Sequence, residues 1–278
     1  MEGAVSGDAF IGIIQGRLTP SGGRLQAFPH GKWKEEFAVA KAVGFDGIEL
    51  IVERPAGASN PIWDDEGIAG LQAAMRETGV RALSLTDDEI MDAGLLRNGP
   101  EAEACFAALV TLMRQMKKIG AERIILPFLE EASLKTDREA FLAARGWLEK
   151  LVPIADETGV AVMLENDLPT DMLKELVATT GGKIGVCFDT GNRAYFGYDP
   201  AEILELGSLI RHVHIKDKEA GGKNVMLGTG KVDFKTVFAN LDAIGYRGPL
   251  ILETCRGDED VEAARKNLAF VKSHLARD

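Results

Sequence analysis

One pattern constrains this chain more than any other: short apolar runs rich in β-branched residues alternate with longer segments of helical spacing, eight times over. The runs lie at 10–16, 47–51, 80–85, 123–129, 160–165, 184–189, 210–215 and 249–253. Amphipathic stretches follow them at 34–43, 65–78, 100–119, 138–157, 168–179, 200–206, 234–244 and 259–275. Near-continuous apolar strands imply cover on both faces, which is the signature of a parallel sheet flanked by helices.

Gly44, Gly79, Gly120, Gly159 and Gly245 stand at helix ends, each shortly before the next strand. A left-handed cap there needs no Cβ, so the order of helix, glycine, short step and strand reads as an αβ joint. Eight evenly spaced units predict an α/β fold, a (β/α)8 barrel. A doubly wound open sheet gives the same alternation but usually with fewer strands. A prior of about 150 residues per domain would divide 278 residues in two, yet α/β barrels of about 250 residues fold as one. No linker rich in Pro, Gly or Ser interrupts the chain, so residues 1–278 are expected to form a single barrel domain.

Charge narrows the partners. With 32 basic and 43 acidic residues the formal charge is -11, which repels polyphosphate and anionic lipid, so neither nucleic acid nor membrane is expected. No apolar stretch approaches the ~18 residues that span a bilayer, and residues 1–10 lack the basic flank and apolar core of a leader. A cytoplasmic protein is expected. Cys105, Cys187 and Cys255 are odd in number and widely separated, and read as reduced thiols.

In a barrel, polar residues at the carboxyl ends of strands converge on one mouth. The fifth run ends in Glu165-Asn166-Asp167, the sixth in Asp189-Thr190-Gly191-Asn192, the seventh passes His212 and His214 into Lys216-Asp217, and the eighth ends in Glu253-Thr254. Clustered carboxylates resist ionising together unless a cation lies among them. Glu165, Asp189, His214 and Glu253 form a hard, oxygen-weighted set that suits Mn²⁺, with Mg²⁺, Co²⁺ or Zn²⁺ as alternatives.

His212 and His214 are two apart and share a strand face, so only one reaches the ion; His214 is nearer the carboxyl end, and His212 is either a substrate contact or a packed interior residue. Around this centre Gln15, Arg17, Glu49, Asn192, Lys216 and Arg256 are candidate contacts for a hydroxyl-rich or anionic substrate. Gly16 would let backbone approach a ligand. The loop 228–233, Gly-Thr-Gly-Lys-Val-Asp, lacks the order and strand context of a Walker motif and reads as a rim turn.

Glu165 in LEN, Asp189 in CFDTGN, His214 in HVHIKD and Glu253 in ILET together resemble the xylose-isomerase-like TIM barrels, which include ketose 3-epimerases and endonuclease IV. The resemblance spans nearly the whole chain. It implies a metal held by these four residues, with Glu165 and Glu253 also serving as the acid/base pair of a sugar or sugar-phosphate isomerase or epimerase. The implied step is removal of a proton from carbon beside a carbonyl, with the cation stabilising the developing charge. Many members carry a His three residues after the sixth-strand Asp, where this chain has Asn192, which can hydrogen-bond a sugar hydroxyl but cannot act as an imidazole. Alternative readings are a polyol dehydratase, an endonuclease IV-like phosphodiesterase and a barrel that binds sugar without turnover. Barrels of this kind often pair, so a homo-oligomer is compatible with the resemblance.

Overall fold

The computed structural model describes residues 9–53, 59–97, 99–257 and 259–276; most of the stretch 1–10, where no leader was expected, lies outside them. Its strands are β1 (Ile11–Ile14), β2 (Gly47–Val52), β3 (Arg81–Asp87), β4 (Arg123–Phe128), β5 (Ala161–Asn166), β6 (Gly185–Asp189), β7 (Ile210–Ile215) and β8 (Leu250–Leu252). They are hydrogen-bonded in chain order as a closed barrel. The paired strands run parallel, as in β1–β8, β3–β4, β4–β5, β5–β6 and β7–β8. The expected (β/α)8 barrel is therefore the architecture found.

The helices are α1 (Trp33–Val43), α2 (Asp65–Thr78), α3 (Pro100–Ile119), α4 (Arg138–Thr158), α5 (Thr170–Ala178), α6 (Thr190–Tyr195), α7 (Glu202–Leu206), α8 (Phe234–Ala243) and α9 (Asp260–Leu275). Their ends follow local chemistry. At α2 the Asp64 carboxylate accepts the Gly67 N–H at 2.7 Å, and at the other end Gly79, with φ 78°, donates its N–H to Met75. The short helix α6 was not expected. It begins directly after β6, where the polar residues read as strand-end groups with no helical period.

The described residues gather into two compact units, drawn from Met1–Ile48 with Cys187–Asp278 and from Glu49–Val186. In the first, β8 pairs with β1 (Ile11↔Leu250, Ile13↔Leu252) and with β7 (His214↔Ile251, Ile215↔Leu252). Its core includes Ile13, Ile14, Phe37, Val213 and Ile251, all buried, and α9 packs on α1 and α8. In the second, β4 lies between β3 and β5, with Ile124 opposite Leu85 and Val162 and Pro127 opposite Glu165. Phe128, Phe141 and Leu71 fill that core under α2, α3 and α4. No helix among the described residues is long and apolar enough to cross a membrane.

Candidate active site

The register of β7 and β8 sets the site. Glu253 donates its backbone N–H to Ile215 at 3.1 Å, which puts the first residue past β8 level with the exit of β7. His212, His214 and Lys216 alternate along one face of that strand at successive heights. Lys216 Nζ lies 2.9 Å from Asp189 Oδ2 and 2.7 Å from Glu253 Oε1. His214 Nδ1 is 3.1 Å from Glu253 Oε2 and 3.9 Å from Asp189 Oδ2. Arg17 Nη2 reaches to 4.0 Å from Glu253 Oε1. His214 and Asp189 are fully buried, whereas the Glu253 side chain is 12 % exposed, so Glu253 is the accessible member.

Asp189 divides its oxygens. Oδ1 caps α6 by accepting the Asn192 N–H at 2.6 Å, while Oδ2 faces Lys216 and His214. The Thr190 hydroxyl donates to Lys216 O at 2.6 Å and accepts from Lys216 N at 2.9 Å, locking the exits of β6 and β7 together. Burial alone would push the Glu253 carboxyl up. The Lys216 ammonium, the His214 hydrogen bond and the Arg17 charge outweigh it and hold Glu253 ionised, well below the usual carboxylate range.

A divalent cation fits this donor set. Asp189, His214 and Glu253 each offer a ligand atom within 4.8 Å of the others, two hard carboxylates and an imidazole. Beneath them His212 is fully buried, its ring centroid 5.2 Å from that of His214, and it groups with Cys187 and His214. That depth matches the packed interior alternative for His212. Cys105 and Cys187 are buried, and none of the three cysteines forms a disulfide.

Several expected substrate contacts serve the scaffold. Arg17 donates from Nε to Thr254 O at 2.9 Å, from Nη1 to Leu25 O at 2.6 Å and from Nη2 to Gln26 Oε1 at 3.2 Å. Arg256 donates to Leu25 O at 3.0 Å, Thr19 O at 2.9 Å, Gly16 O and Asp260. On the other side of this β1–α1 loop the buried Glu36 carboxylate accepts Gly16 N at 2.9 Å, Leu18 N at 3.1 Å and the Thr19 hydroxyl at 3.1 Å. Burial raises its pKa, and these donors and Arg256 partly offset the rise. Gly16, with φ 86°, is needed because a Cβ would sit 2.1 Å from Ala27 O, so its close approach is to the loop itself and not to a ligand. Gln15 is buried just past β1.

The loop 228–233 is a largely exposed turn tied to the protein itself. Asp217 accepts the N–H groups of Gly228 at 3.0 Å, Gly230 at 2.8 Å and Val232 at 3.1 Å, so the glycine amides cradle the protein's own carboxylate. In the second unit Glu49 is buried and accepts the Ser84 and Thr86 hydroxyls at 2.5 and 2.8 Å, where a sugar hydroxyl was expected. Glu165 is buried near the end of β5, followed by Asn166, which accepts Leu168 N, and Asp167, which accepts the Ser133 hydroxyl. Sequence reasoning placed Lys216 among anion contacts and missed its place between two carboxylates. The signal was the two-residue period that already links His212 to His214 and extends to residue 216.

Comparison with known proteins agrees with this architecture. The family model described as "Xylose isomerase-like TIM barrel" matches residues 37–274. L-ribulose-5-phosphate 3-epimerase UlaE of Salmonella typhi is 29% identical over 274 residues, covering 93% of this chain and 95% of that protein. Among solved structures, D-allulose 3-epimerase from Methylomonas sp. superposes with a TM-score of 0.76 at 19% identity, covering 96% of this chain and 98% of that one. The IOLI protein, described with a bound zinc atom, gives 0.72 at 18% identity, covering 96% and 99%.

Proposed function

Because this chain belongs to the xylose isomerase-like TIM barrel family, we propose that it is a divalent-metal-dependent sugar or sugar-phosphate epimerase. The observation that carries the reading is the convergence of Asp189, His214 and Glu253 on one focus, with Glu253 ionised and partly open to solvent. The epimerase names of the Salmonella relative and of the Methylomonas structure support the reaction class.

In this reading Glu165, near the end of β5, is the fourth ligand and the partner of Glu253 in proton transfer. Manganese is the ion of choice for three carboxylates and one imidazole, and when bound it supplies a Lewis acid for the charge that develops beside a carbonyl. The chain does the rest. Glu253 accepts the proton from one face of the substrate carbon, and Glu165 returns one to the opposite face, inverting the centre. Lys216 bridges Asp189 and Glu253 and helps hold Glu253 ionised. Arg17, Glu36 and Arg256 hold the β1–α1 loop in place at the rim. Asn192 offers a hydroxyl contact where relatives use imidazole. The protein is proposed to work in the cytoplasm on small sugars, without nucleic acid or membrane.

The test follows solvent deuterium into the carbon beside the ketone of pentuloses and their 5-phosphates, with Mn²⁺ present. Glu165→Gln and Glu253→Gln should each slow exchange by roughly 10²–10⁴-fold, the usual worth of a positioned acid or base. Unimpaired exchange in both variants removes them from that role.

A further inference from the structure

Below the candidate active site the barrel interior carries a second group of ligand-type side chains, wholly within the first unit. Cys187, His212 and His214 each offer a donor atom, and the three donors lie within 4.8 Å of one another. Strand geometry explains the grouping. Residues two apart share a strand face, so Cys187 stands one level under Asp189 on β6 and His212 one level under His214 on β7. At the matching place on β8, two residues before Glu253, is Ile251, whose Cδ1 lies 2.7 Å from the point where a Cβ on Gly12 would sit. Carboxylates therefore give way to sulfur, nitrogen and hydrocarbon within one level. Cys187 is 3 % exposed and both histidines 0 %, so this level is closed to solvent.

A thiolate and two imidazoles are soft and borderline donors, the set that selects Cu(I) over the hard ions suited to the carboxylates above. Burial favours the monovalent ion further. Binding exchanges the thiol proton for the ion, Cys–SH and Cu⁺ giving Cys–S–Cu and H⁺, so no net charge enters the closed level, whereas Zn²⁺ would leave one there uncompensated. Bonds of ~2.3 Å to sulfur and ~2.0–2.1 Å to nitrogen, the zinc values for the same donors, put donors roughly 3.3–3.8 Å apart, so side-chain rotation has to close about 1.5 Å at most.

We propose that Cys187, His212 and His214 form a soft-ion site for Cu(I), separate from the hard site and coupled to it through His214. The coupling follows from lone pairs: a neutral imidazole has one nitrogen that accepts, and the other carries a proton. His214 Nδ1 already faces Glu253 at 3.1 Å. An ion at Cys187 and His212 that draws on the same ring takes that lone pair or displaces the remaining proton, so Cu(I) weakens the hold on a divalent ion above. The lower site is thus inhibitory. The inference rests on the donor set and not on the epimerase reaction.

Competition against a chromogenic Cu(I) chelator, without oxygen, measures the ion alone on the intact protein. The wild type should retain about one equivalent, and Cys187→Ala should bind it at least roughly tenfold more weakly, while Cys255→Ala, which removes the half-buried thiol at the rim, keeps wild-type affinity. His212→Leu, which keeps the thiol, should show the same loss and serves should Cys187→Ala fail to fold by circular dichroism. The Mn²⁺ electron paramagnetic resonance signal reports binding at the hard site without turnover. About one equivalent of Cu(I) should weaken Mn²⁺ binding at least roughly tenfold in the wild type and leave it unchanged in Cys187→Ala. Equal Cu(I) affinity in wild type and Cys187→Ala, or a loss that follows Cys255 instead, overturns the site; Mn²⁺ binding indifferent to Cu(I) in the wild type overturns the coupling. Cu(I) retention that depends on Cys187, in a protein that binds no Mn²⁺, sinks the proposed hard site and leaves the soft one standing.

Discussion

Lys216→Met is the sharpest probe of the charge arrangement at the rim. Methionine keeps most of the stem volume and deletes the ammonium 2.9 Å from Asp189 and 2.7 Å from Glu253. A hydrogen bond to a charged group is worth about 1.5–3 kcal/mol net, so the pair sets an upper range of about 3–6 kcal/mol. Glu253 can relax towards solvent, which favours the low end, about 3 kcal/mol. For a chain of this size each kcal/mol moves Tm by about 2–4 °C, so the metal-free variant should melt roughly 6–12 °C below wild type.

Melting in chelator measures that loss, and melting across a Mn²⁺ series measures its recovery. An ion at a hundredfold excess over Kd contributes about 2.7 kcal/mol to whichever form binds it. Since the variant keeps both carboxylates and loses their built-in cation, Mn²⁺ should raise its Tm more than it raises the wild type's. A variant within about 1 °C of wild type in chelator, or the same Mn²⁺ gain in both proteins, would refute this account of Lys216.

Three further outcomes can be checked in the same preparations. Arg193 donates to Glu202 at 2.8 Å in a buried ion pair and stacks 3.8 Å from the Tyr198 ring centroid, so Glu202→Leu should cost about 3–5 kcal/mol by urea denaturation, while Arg193→Met with Glu202→Leu recovers much of it. Because burial raises the folded-state pKa of Glu36, the folded protein holds a proton that the unfolded chain releases near the ordinary 4.5; stability relative to Glu36→Gln should therefore fall as pH rises from that value through the raised one, and a pH-independent difference would contradict this. In Gly230→Ala the new Cβ would meet Asp217 Oδ1 at 2.3 Å and Lys218 O at 2.6 Å, so the loop must open, with a loss of about 1–3 kcal/mol and faster hydrogen exchange at the Gly228 and Val232 amides.

The strands were legible because burial on both faces leaves a short apolar run rich in β-branched residues. The predicted run at 210–215 matches β7 in full, and the run at 160–165 differs from β5 by one residue at each end. The glycine joints at 44, 79, 120, 159 and 245 all have positive φ, as a left-handed cap requires. At the rim, periodicity says less. Asp189 and His214 could be found from their place at strand ends, and their approach to Glu253 follows from register. Where a long cation ends cannot be read from spacing, since Arg17, Lys216 and Arg256 each have several partners within reach of a flexible stem. Arg17 and Arg256 went to carbonyls of a loop whose path the sequence does not specify. Asp217 went to amides that only the folded loop presents.

The divided carboxylate of Asp189 has an evolutionary reading. What steadies it is the main-chain amide of position 192, a group every residue but proline carries. Exchanging that side chain leaves the anchor intact. On the proposed epimerase reading, a different side chain at 192 would alter what the rim offers a sugar without disturbing the amide that steadies Asp189.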